Sequence, residues 1–499
     1  MWITDIARQW PDRLAVVDTA RGDAGRFTYA ELDNRADRLA TWLQTIAGVR
    51  RGDRVGVLAQ NSIEVLDALF ACARLGAIFM PFNWRSPWRE LADLIALTTP
   101  TALLYSADYA PVAHDLRDAG VAIRHWLEFD DQALPERAPV ANWLGPVSQE
   151  DTACLLFTSG TTGLAKAAMV SYRQIAWNTL NGAIRELRCD DITLTATPLF
   201  HTAGLLLYTL PLLILGGTVV LVPKWSPEAV LELLVRERIS VFFGVPTQFQ
   251  HMLTAANFAS TDLKRVRLTS GGAPLPVAVI EAFHRIHGVP LRQGFGMTEY
   301  GPFAFIAEAN SAIDKAGSIG TPNACVEATI LNEAGRPLPP GEVGELGLRG
   351  PVLCSGYYGT QEAGRAPLAA DGWFHTGDLA KVDADGFYTI VDRKKDMYLS
   401  GGESVYPAEV ERVLYTHTAV QQCAVVGAPD AVWGEVGHAY IVLKPGAAAT
   451  AEELIAFCRE RLAAYKAPKH VSLVAGLPLS AAGKILKREL RAGAVTSGG

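Results

Sequence analysis

The sequence has no cysteine pair in CxxC spacing, no run of like charge and no apolar N-terminus, and each absence removes a class of protein. Its seven cysteines (Cys72, Cys154, Cys189, Cys325, Cys354, Cys423, Cys458) are odd in number and scattered over 499 residues. That pattern fits a reducing, cytoplasmic compartment. The net charge of −7 is spread without clusters, which argues against an electrostatic grip on nucleic acid, so an anionic ligand needs a local site. The first residues, MWITDIARQWPDRL, alternate acid and base and lack the uninterrupted apolar core of a secretory signal. Only AGLLLYTLPLLILGGTVVLVP, residues 203–223, is long and apolar enough to suggest a membrane span. Pro211 and the Gly216–Gly217 pair divide it into a helix-like half and a β-branched half, so a buried helix and then a buried strand are expected, with no transmembrane segment.

What is present is a large globular composition. Hydrophobic residues make up 49% and charged residues 19%, enough to fill several layers, and the length calls for two or more domains. In TYAELDNRADRLATWLQ, Thr28 and Glu31 have capping-box spacing ahead of helical periodicity. DRVGVLAQ (53–60) reads as a strand, NSIEVLDALFACARLG as a helix stopped by Gly76, and AIFMPFN as a further strand. The alternation recurs where EAVLELLVRERIS leads into VFFGVP, and such β-α-β repetition predicts mostly parallel sheets covered by helices. Beyond residue 320, frequent Gly and Pro predict a small antiparallel β unit. The charged run DRKKD (392–396) precedes SGGESVYPAEVERVL, read as a loop with a helix start at Pro407. The fold class is therefore α/β. A large N-terminal domain (1–393) with the small β unit is followed by a small mobile α+β domain (394–499), with the linker at about 393–396.

One stretch demands chemistry. LLFTSGTTGLAKAAMV (155–170) runs from a strand into a turn bearing hydroxyls at Thr158, Ser159, Thr161 and Thr162, glycines at 160 and 163, and Lys166. A P-loop needs G-x-x-x-x-G-K-[ST], and here the glycines are too close and Ala167 follows the lysine, so that reading fails. Such a turn still offers backbone N–H groups and hydroxyls to phosphate oxygens, although turns of this composition often hold nothing.

TSGTTGLAKA, GFGMTE (294–299), HTGD (375–378), DRKKDMYLSGGESVYPAEVE (392–411) and GKILKREL (483–490) occur in this order. Together with PLFHTAG, FGVPT, SGGAPL, WGE and YKAPK they closely resemble the acyl-adenylate-forming superfamily, in its acyl-CoA synthetase and aryl-CoA ligase branch, over essentially the whole chain. The resemblance implies an ATP-dependent ligase using Mg2+ and CoA. A carboxylate attacks the α-phosphate, pyrophosphate leaves, and a thiol then displaces AMP from the acyl-AMP. Both steps concentrate negative charge around phosphorus, so positioning and electrostatic stabilisation are the protein's task.

By the same resemblance, Thr158, Ser159, Gly160, Thr161, Thr162, Gly163 and Lys166 hold the β- and γ-phosphates, Thr298 contacts the α-phosphate and Glu299 ligates magnesium. On its own a Thr-Glu pair is as well explained by a helix cap. Gly272, Ala273 and Pro274 with Gly294, Phe295, Gly296 and Met297 wall the adenine and acyl group. Asp378 accepts from the ribose hydroxyls, assisted by Arg393; a carboxylate suits a diol because it accepts two hydrogen bonds. Lys484 is the catalytic lysine of the small domain. Lys395 is the hinge, and Ser400, Gly401, Gly402 and Glu403 form the loop facing the CoA side. His201 borders the carboxylate, where amino-acid-activating relatives carry Asp. Leu205, Phe243, Val245, Phe249 and Phe303 form an apolar acyl pocket without a cation for a second carboxylate, which favours a medium-chain or aryl acid.

Three positions depart from the family pattern: Ala165 replaces proline, Ala167 replaces glycine, and PLSAAGK replaces Pro-Arg/Lys-Thr-x-x-Gly-Lys. Alanine at 167 is strained if the site needs positive φ, so slower adenylation or weaker ATP affinity is expected. Two alternatives accompany the ligase reading: transfer to a carrier-protein phosphopantetheine, and a non-catalytic acyl- or nucleotide-binding module. The partners expected are a small carboxylic acid, ATP and CoA, with no nucleic acid; a homodimer is left open.

Overall fold

The periodicities of the sequence resolve into four sheets in a computed structural model that describes residues 2–129, 147–158, 166–360, 366–479 and 485–496. The largest sheet has nine strands. In spatial order these are Thr321–Pro322, Gly301–Ile306, Leu291–Met297, Arg267–Ser270, Val241–Gly244, Ile192–Thr195, Thr218–Leu221, Leu14–Asp18 and Arg26–Thr28. From Leu291–Met297 to Leu14–Asp18 every pairing is parallel. A second sheet runs His125–Glu128, Ala102–Tyr105, Arg54–Leu58, Ile78–Pro81, Thr152–Thr158, all parallel, and closes with the antiparallel Lys166–Ser171. Strands such as Ile78–Pro81 and Ala102–Tyr105 are buried at every residue, as a sheet covered on both faces requires.

Local signals set the helix ends. The Glu31 N–H donates to Thr28 Oγ1 at 3.2 Å while the Thr28 N–H donates to Glu31 at 2.7 Å, the reciprocal cap of helix Tyr29–Thr45. Helix Ile63–Leu75 stops at Gly76, whose φ of 62° lets its N–H return to the Cys72 carbonyl.

The apolar segment 203–223 is a buried helix and strand, and among the described residues no helix is long and apolar enough to cross a membrane. Pro211 does not break it as expected. The chain winds as a π-helix over Ala203–Thr209, with the Leu210 N–H reaching the Leu205 carbonyl, and then tightens into an α-helix at Leu210–Leu215. Pro211 thus falls in the first α-turn, where its missing N–H costs least.

Beyond these sheets, Glu327–Leu331, Gly344–Arg349, Phe374–Val382 and Tyr388–Arg393 form the antiparallel β unit. The last sheet lies wholly after the charged run: Glu403–Val405, Tyr398–Ser400, Gly434–Leu443 and Val420–Asp430, with His470–Leu473 parallel to Gly434–Leu443. Helices Pro407–Tyr415 and Lys487–Thr496 pack on Val420–Asp430, giving a separate small α+β domain with its own core around Tyr398, Val425 and Leu454. The segment expected as a loop at 400–404 is instead the turn of a hairpin. Gly401 and Gly402 take φ of 62° and 88°, the two positive values that a tight two-residue connection requires.

Candidate functional site

Lys166 opens strand Lys166–Ser171, and Ala167 and Lys166 pair with Phe157 and Thr158. On the other side of that strand lies segment 355–358. The Tyr358 N–H donates to Ala167 O, the Met169 N–H to Gly356 O and the Ser355 N–H to Met169 O, all at 2.9 Å. This extra edge brings Tyr357 over Lys166, with the ammonium 5.0 Å from the ring centroid. The Tyr357 hydroxyl then donates to Glu299 Oε1 at 2.9 Å, and the Cys354 N–H holds the Glu299 carbonyl at 2.7 Å. One tyrosine thus bridges the loop lysine and the carboxylate. Burial and the neighbouring Glu299 push its phenol far above the ordinary range, so it acts as a donor and not as a base. The sequence reading missed Tyr357; its only signal was SGYYG beside the family motifs.

Thr298 and Glu299 do not cap a helix. They sit in the turn joining strands Leu291–Met297 and Gly301–Ile306, where Gln174 Nε2 donates to the Thr298 carbonyl at 2.9 Å. At Gly296 an added Cβ would lie 2.5 Å from Pro302 and from the Gly301 carbonyl, so only glycine permits this crossing. Tyr300, fully buried, stacks towards Phe374 at 6.5 Å and so ties the Glu299 turn to the strand that carries Asp378.

Asp378 and Arg393, on consecutive strands, face each other directly across their antiparallel pairing. Arg393 Nε lies 3.4 Å from the buried Asp378 carboxylate. Beside them Glu345 accepts from the Gly377 N–H at 3.0 Å and from Lys394 Nζ at 3.0 Å, and lies 3.2 Å from His375 Nδ1. Burial alone would raise the Glu345 pKa, but these donors outweigh it and hold it below its ordinary value.

Several further candidates lie at or just past the carboxyl ends of the parallel strands, where an α/β sheet places ligands. Gly272, Ala273 and Pro274 are exposed just past Arg267–Ser270; Gly294 to Met297 end their strand half-buried. His201 follows strand Ile192–Thr195 through a loop anchored by a second missed residue. Buried Asn61 donates to the Thr195, Thr197 and Val222 carbonyls and accepts from the Leu199 N–H at 2.9 Å. The His201 ring packs on Phe200, centroids 4.5 Å apart.

Phe243, Val245 and Phe303 share one apolar cluster with Tyr208, Leu207 and Ala203. Leu205 and Phe249 do not join it. Leu205 belongs instead to a large core cluster that also takes in residues of helices Tyr29–Thr45 and Ile63–Leu75. Phe249 is fully buried, edge-on between Phe242 and Phe283, because Phe242 and Phe243 point to opposite faces of their strand and helix Pro246–Thr254 covers the face of Phe242. Behind the cluster, Tyr208 donates to Glu186 at 2.8 Å, and Arg292 reaches Glu186 at 2.5 Å and Thr269 at 2.8 Å. Arg292, beside this wall, is paired with the Glu186 carboxylate.

Ser400 is buried and Gly401, Gly402 and Glu403 are exposed at the hairpin turn; Lys395 lies in the connection between strands Tyr388–Arg393 and Tyr398–Ser400. Ala167 is fully buried in extended strand, and only Thr99 and Arg238 among the described non-glycine residues have positive φ. The strain considered for Ala167 is therefore absent. Ser159, Gly160, Thr161, Thr162, Gly163, Ala165 and Lys484 lie outside the described residues. Among the described residues no three His, Cys, Asp or Glu side chains converge on a metal position. A single carboxylate such as that of Glu299 is a donor set compatible with magnesium, which takes one or two protein carboxylates at nucleotide sites.

The chain matches the model of the AMP-binding enzymes over residues 3–358 and that of the AMP-binding enzyme C-terminal domain over residues 409–484. It is 41% identical over 492 residues to a feruloyl-CoA synthase of Amycolatopsis, covering 98% of each chain. It is 37% identical to the indoleacetate–CoA ligase of Aromatoleum aromaticum, with 97% of each covered. Among solved structures it resembles the o-succinylbenzoate CoA synthetase of Bacillus subtilis at 30% identity. The TM-score is 0.86 for its complex with ATP and magnesium ion, with 98% of each chain covered. It is 0.87 for the acyl-adenylate complex, covering 98% of this chain and 97% of that one. Sequence and fold agree: this chain belongs to the AMP-binding, acyl-adenylate-forming enzymes and is an AMP-forming acid–thiol ligase of the acyl- and aryl-CoA kind.

Proposed function

We propose that the acid is an apolar aryl or arylalkyl monocarboxylate. What carries this reading is the wall of Phe243, Phe303 and Tyr208 with the adjacent Arg292 already committed to Glu186. An aromatic wall favours a ring, and a paired arginine offers nothing to a second carboxylate. The relatives named for ferulate and indoleacetate support it.

In this reading Lys166 and the hydroxyl-rich turn hold the triphosphate, Glu299 positions magnesium, and Asp378 with Arg393 holds the ribose. Lys484 enters from the small domain (394–499) to steady the acid and the α-phosphate. The carboxylate oxygen forms its bond to the α-phosphorus and pyrophosphate departs. The small domain then swivels at Lys395, the CoA thiolate attacks the acyl carbon, and AMP leaves with the bonding electrons. The seven free thiols support a cytoplasmic setting.

The test is pyrophosphate release with a panel of acids, paired with thioester detection by mass. Cinnamate- or indole-type acids should give both products, and dicarboxylates little of either. A preference for short-chain or dicarboxylic acids would refute the pocket reading. Lys484→Ala should lose about 3 kcal/mol of transition-state stabilisation, a hundredfold or more in adenylation; full activity would remove Lys484 from the mechanism.

A further inference from the structure

The strand that carries Asp378 is not regular. In its pairing with Gly344–Arg349, Glu345 stands opposite Leu379 and Gly347 opposite His375, so that Leu346 alone faces Thr376, Gly377 and Asp378. Such a bulge re-aims a side chain and leaves backbone N–H groups without ladder partners. Here two of them are taken up by side chains. The Asp378 N–H donates to Thr376 Oγ1 at 3.1 Å, and that hydroxyl donates to the Leu346 carbonyl at 2.8 Å. The Gly377 N–H donates to Glu345 Oε1 at 3.0 Å.

Strand pairing alone asks for no carboxylate at 345. Leu346 and Leu348 are buried in the core of the β unit, and because a strand alternates its faces, Glu345 falls on the opposite side from Leu346. It is nonetheless not a solvated residue, since its side chain keeps only 12% of its accessible surface. The second oxygen, Oε2, accepts from Lys394 Nζ at 3.0 Å and lies 3.2 Å from His375 Nδ1. Lys394 is also bound through its backbone, its N–H donating to the Gly377 carbonyl at 2.9 Å. One carboxylate thus fixes the residue before Asp378 and the residue after Arg393. Those two are cross-strand partners, with Arg393 Nε 3.4 Å from the Asp378 carboxylate.

We infer that Glu345 is a positioning residue for the nucleotide ribose, holding the bulge so that the Asp378 carboxylate keeps the aim needed to accept from both hydroxyls of a diol. This role rests on the reading of Asp378 and Arg393 as the ribose grip. Accepting two hydrogen bonds at once is strict about direction, because such bonds weaken steeply as their angle falls. Releasing Gly377 and Lys394 together therefore weakens the hold on a diol first, and a nucleotide lacking one hydroxyl has less to lose.

The experiment uses the full-length enzyme, an acid that it activates, and ATP or 3′-deoxy-ATP, with pyrophosphate release as the readout. In the wild type, kcat/KM for ATP should exceed that for 3′-deoxy-ATP about tenfold, the worth of one charge-assisted hydrogen bond. Glu345→Ala should reduce this preference to about threefold or less. Glu345→Gln keeps an acceptor for the Gly377 N–H but loses the charge facing Lys394, and should retain part of the preference. A role in stability alone would lower the melting temperature or slow both nucleotides equally. A wild-type preference in Glu345→Ala would therefore overturn the inference. If Glu345→Ala melts below the assay temperature, Glu345→Gln and Glu345→Asp carry the same comparison. Asp378→Ala separates the grip from its support. If the wild type shows no preference, or Asp378→Ala keeps it, the ribose grip lies elsewhere and the role of Glu345 falls with it. If Asp378→Ala abolishes the preference while Glu345→Ala leaves it intact, only the role of Glu345 falls.

Discussion

Replacing Tyr357 by Phe removes one hydroxyl and nothing else from the centre of the site. The ring stays over Lys166, 5.0 Å from its ammonium, so the loop lysine keeps its seat. What disappears is the 2.9 Å hydrogen bond to Glu299. A donor to a carboxylate contributes about 1.5–3 kcal/mol, which corresponds to roughly a 10- to 150-fold loss if Glu299 must be held in place in the transition state. Pyrophosphate exchange measured over a magnesium titration should show both a lower maximal rate and a higher magnesium requirement. Tyr357→Ala also removes the ring and should lose a further ~0.5–1 kcal/mol from the exposed cation–π contact. A folded Tyr357→Phe enzyme with wild-type adenylation and magnesium dependence would refute the claim that Tyr357 orients Glu299.

Asp378→Asn keeps the shape but trades charged hydrogen bonds for neutral ones, so the KM for ATP should rise roughly tenfold, with a smaller effect on 3′-deoxy-ATP; equal effects on both nucleotides would argue against a ribose contact. Ala167→Gly should leave the KM for ATP unchanged and destabilise by about 1–2 kcal/mol in urea unfolding, from lost burial and added backbone freedom in a strand; a lower KM would show that Ala167 weakens the loop after all. His375 sits 2.8 Å from Asp371 and 3.2 Å from Glu345; burial lowers its pKa, but the two carboxylates outweigh burial and raise it above its ordinary value. A raised histidine adds stability that is complete below the unfolded value near 6.5 and is lost as pH climbs through the folded one. The melting temperature should therefore fall between pH 6 and 8 more steeply in the wild type than in His375→Gln, and parallel profiles would contradict this.

Local chemistry was readable wherever it acts through neighbours in sequence. The Thr28–Glu31 cap, the Gly76 stop and the alternation of strands and helices that sets the parallel sheets all depend on contacts within a few residues. The ordered motifs likewise announced the family, because each is a short local pattern and they follow one another in the family's order. Pro211 was misjudged because a proline breaks an α-helix by local rules, and the π-turn that absorbs it is a choice of register stabilised by the surrounding core. Phe243 and Phe249 look equally apolar in the chain, yet only Phe243 joins the proposed acyl wall.

By itself the sequence determined the fold class, through its helical and strand periodicities, and the family, through the ordered motifs that resemble it. Which groups meet was decided by tertiary structure. Segment 355–358 hydrogen-bonds beside Lys166–Ser171 and so delivers Tyr357 to both Lys166 and Glu299. Strand register sets Asp378 opposite Arg393, and a helix some ninety-five residues away brings Arg491 to the domain connection. Backbone pairing of that kind has no local signature, because any extended segment with free N–H and C=O groups can form the edge, and only the packed fold selects which one does.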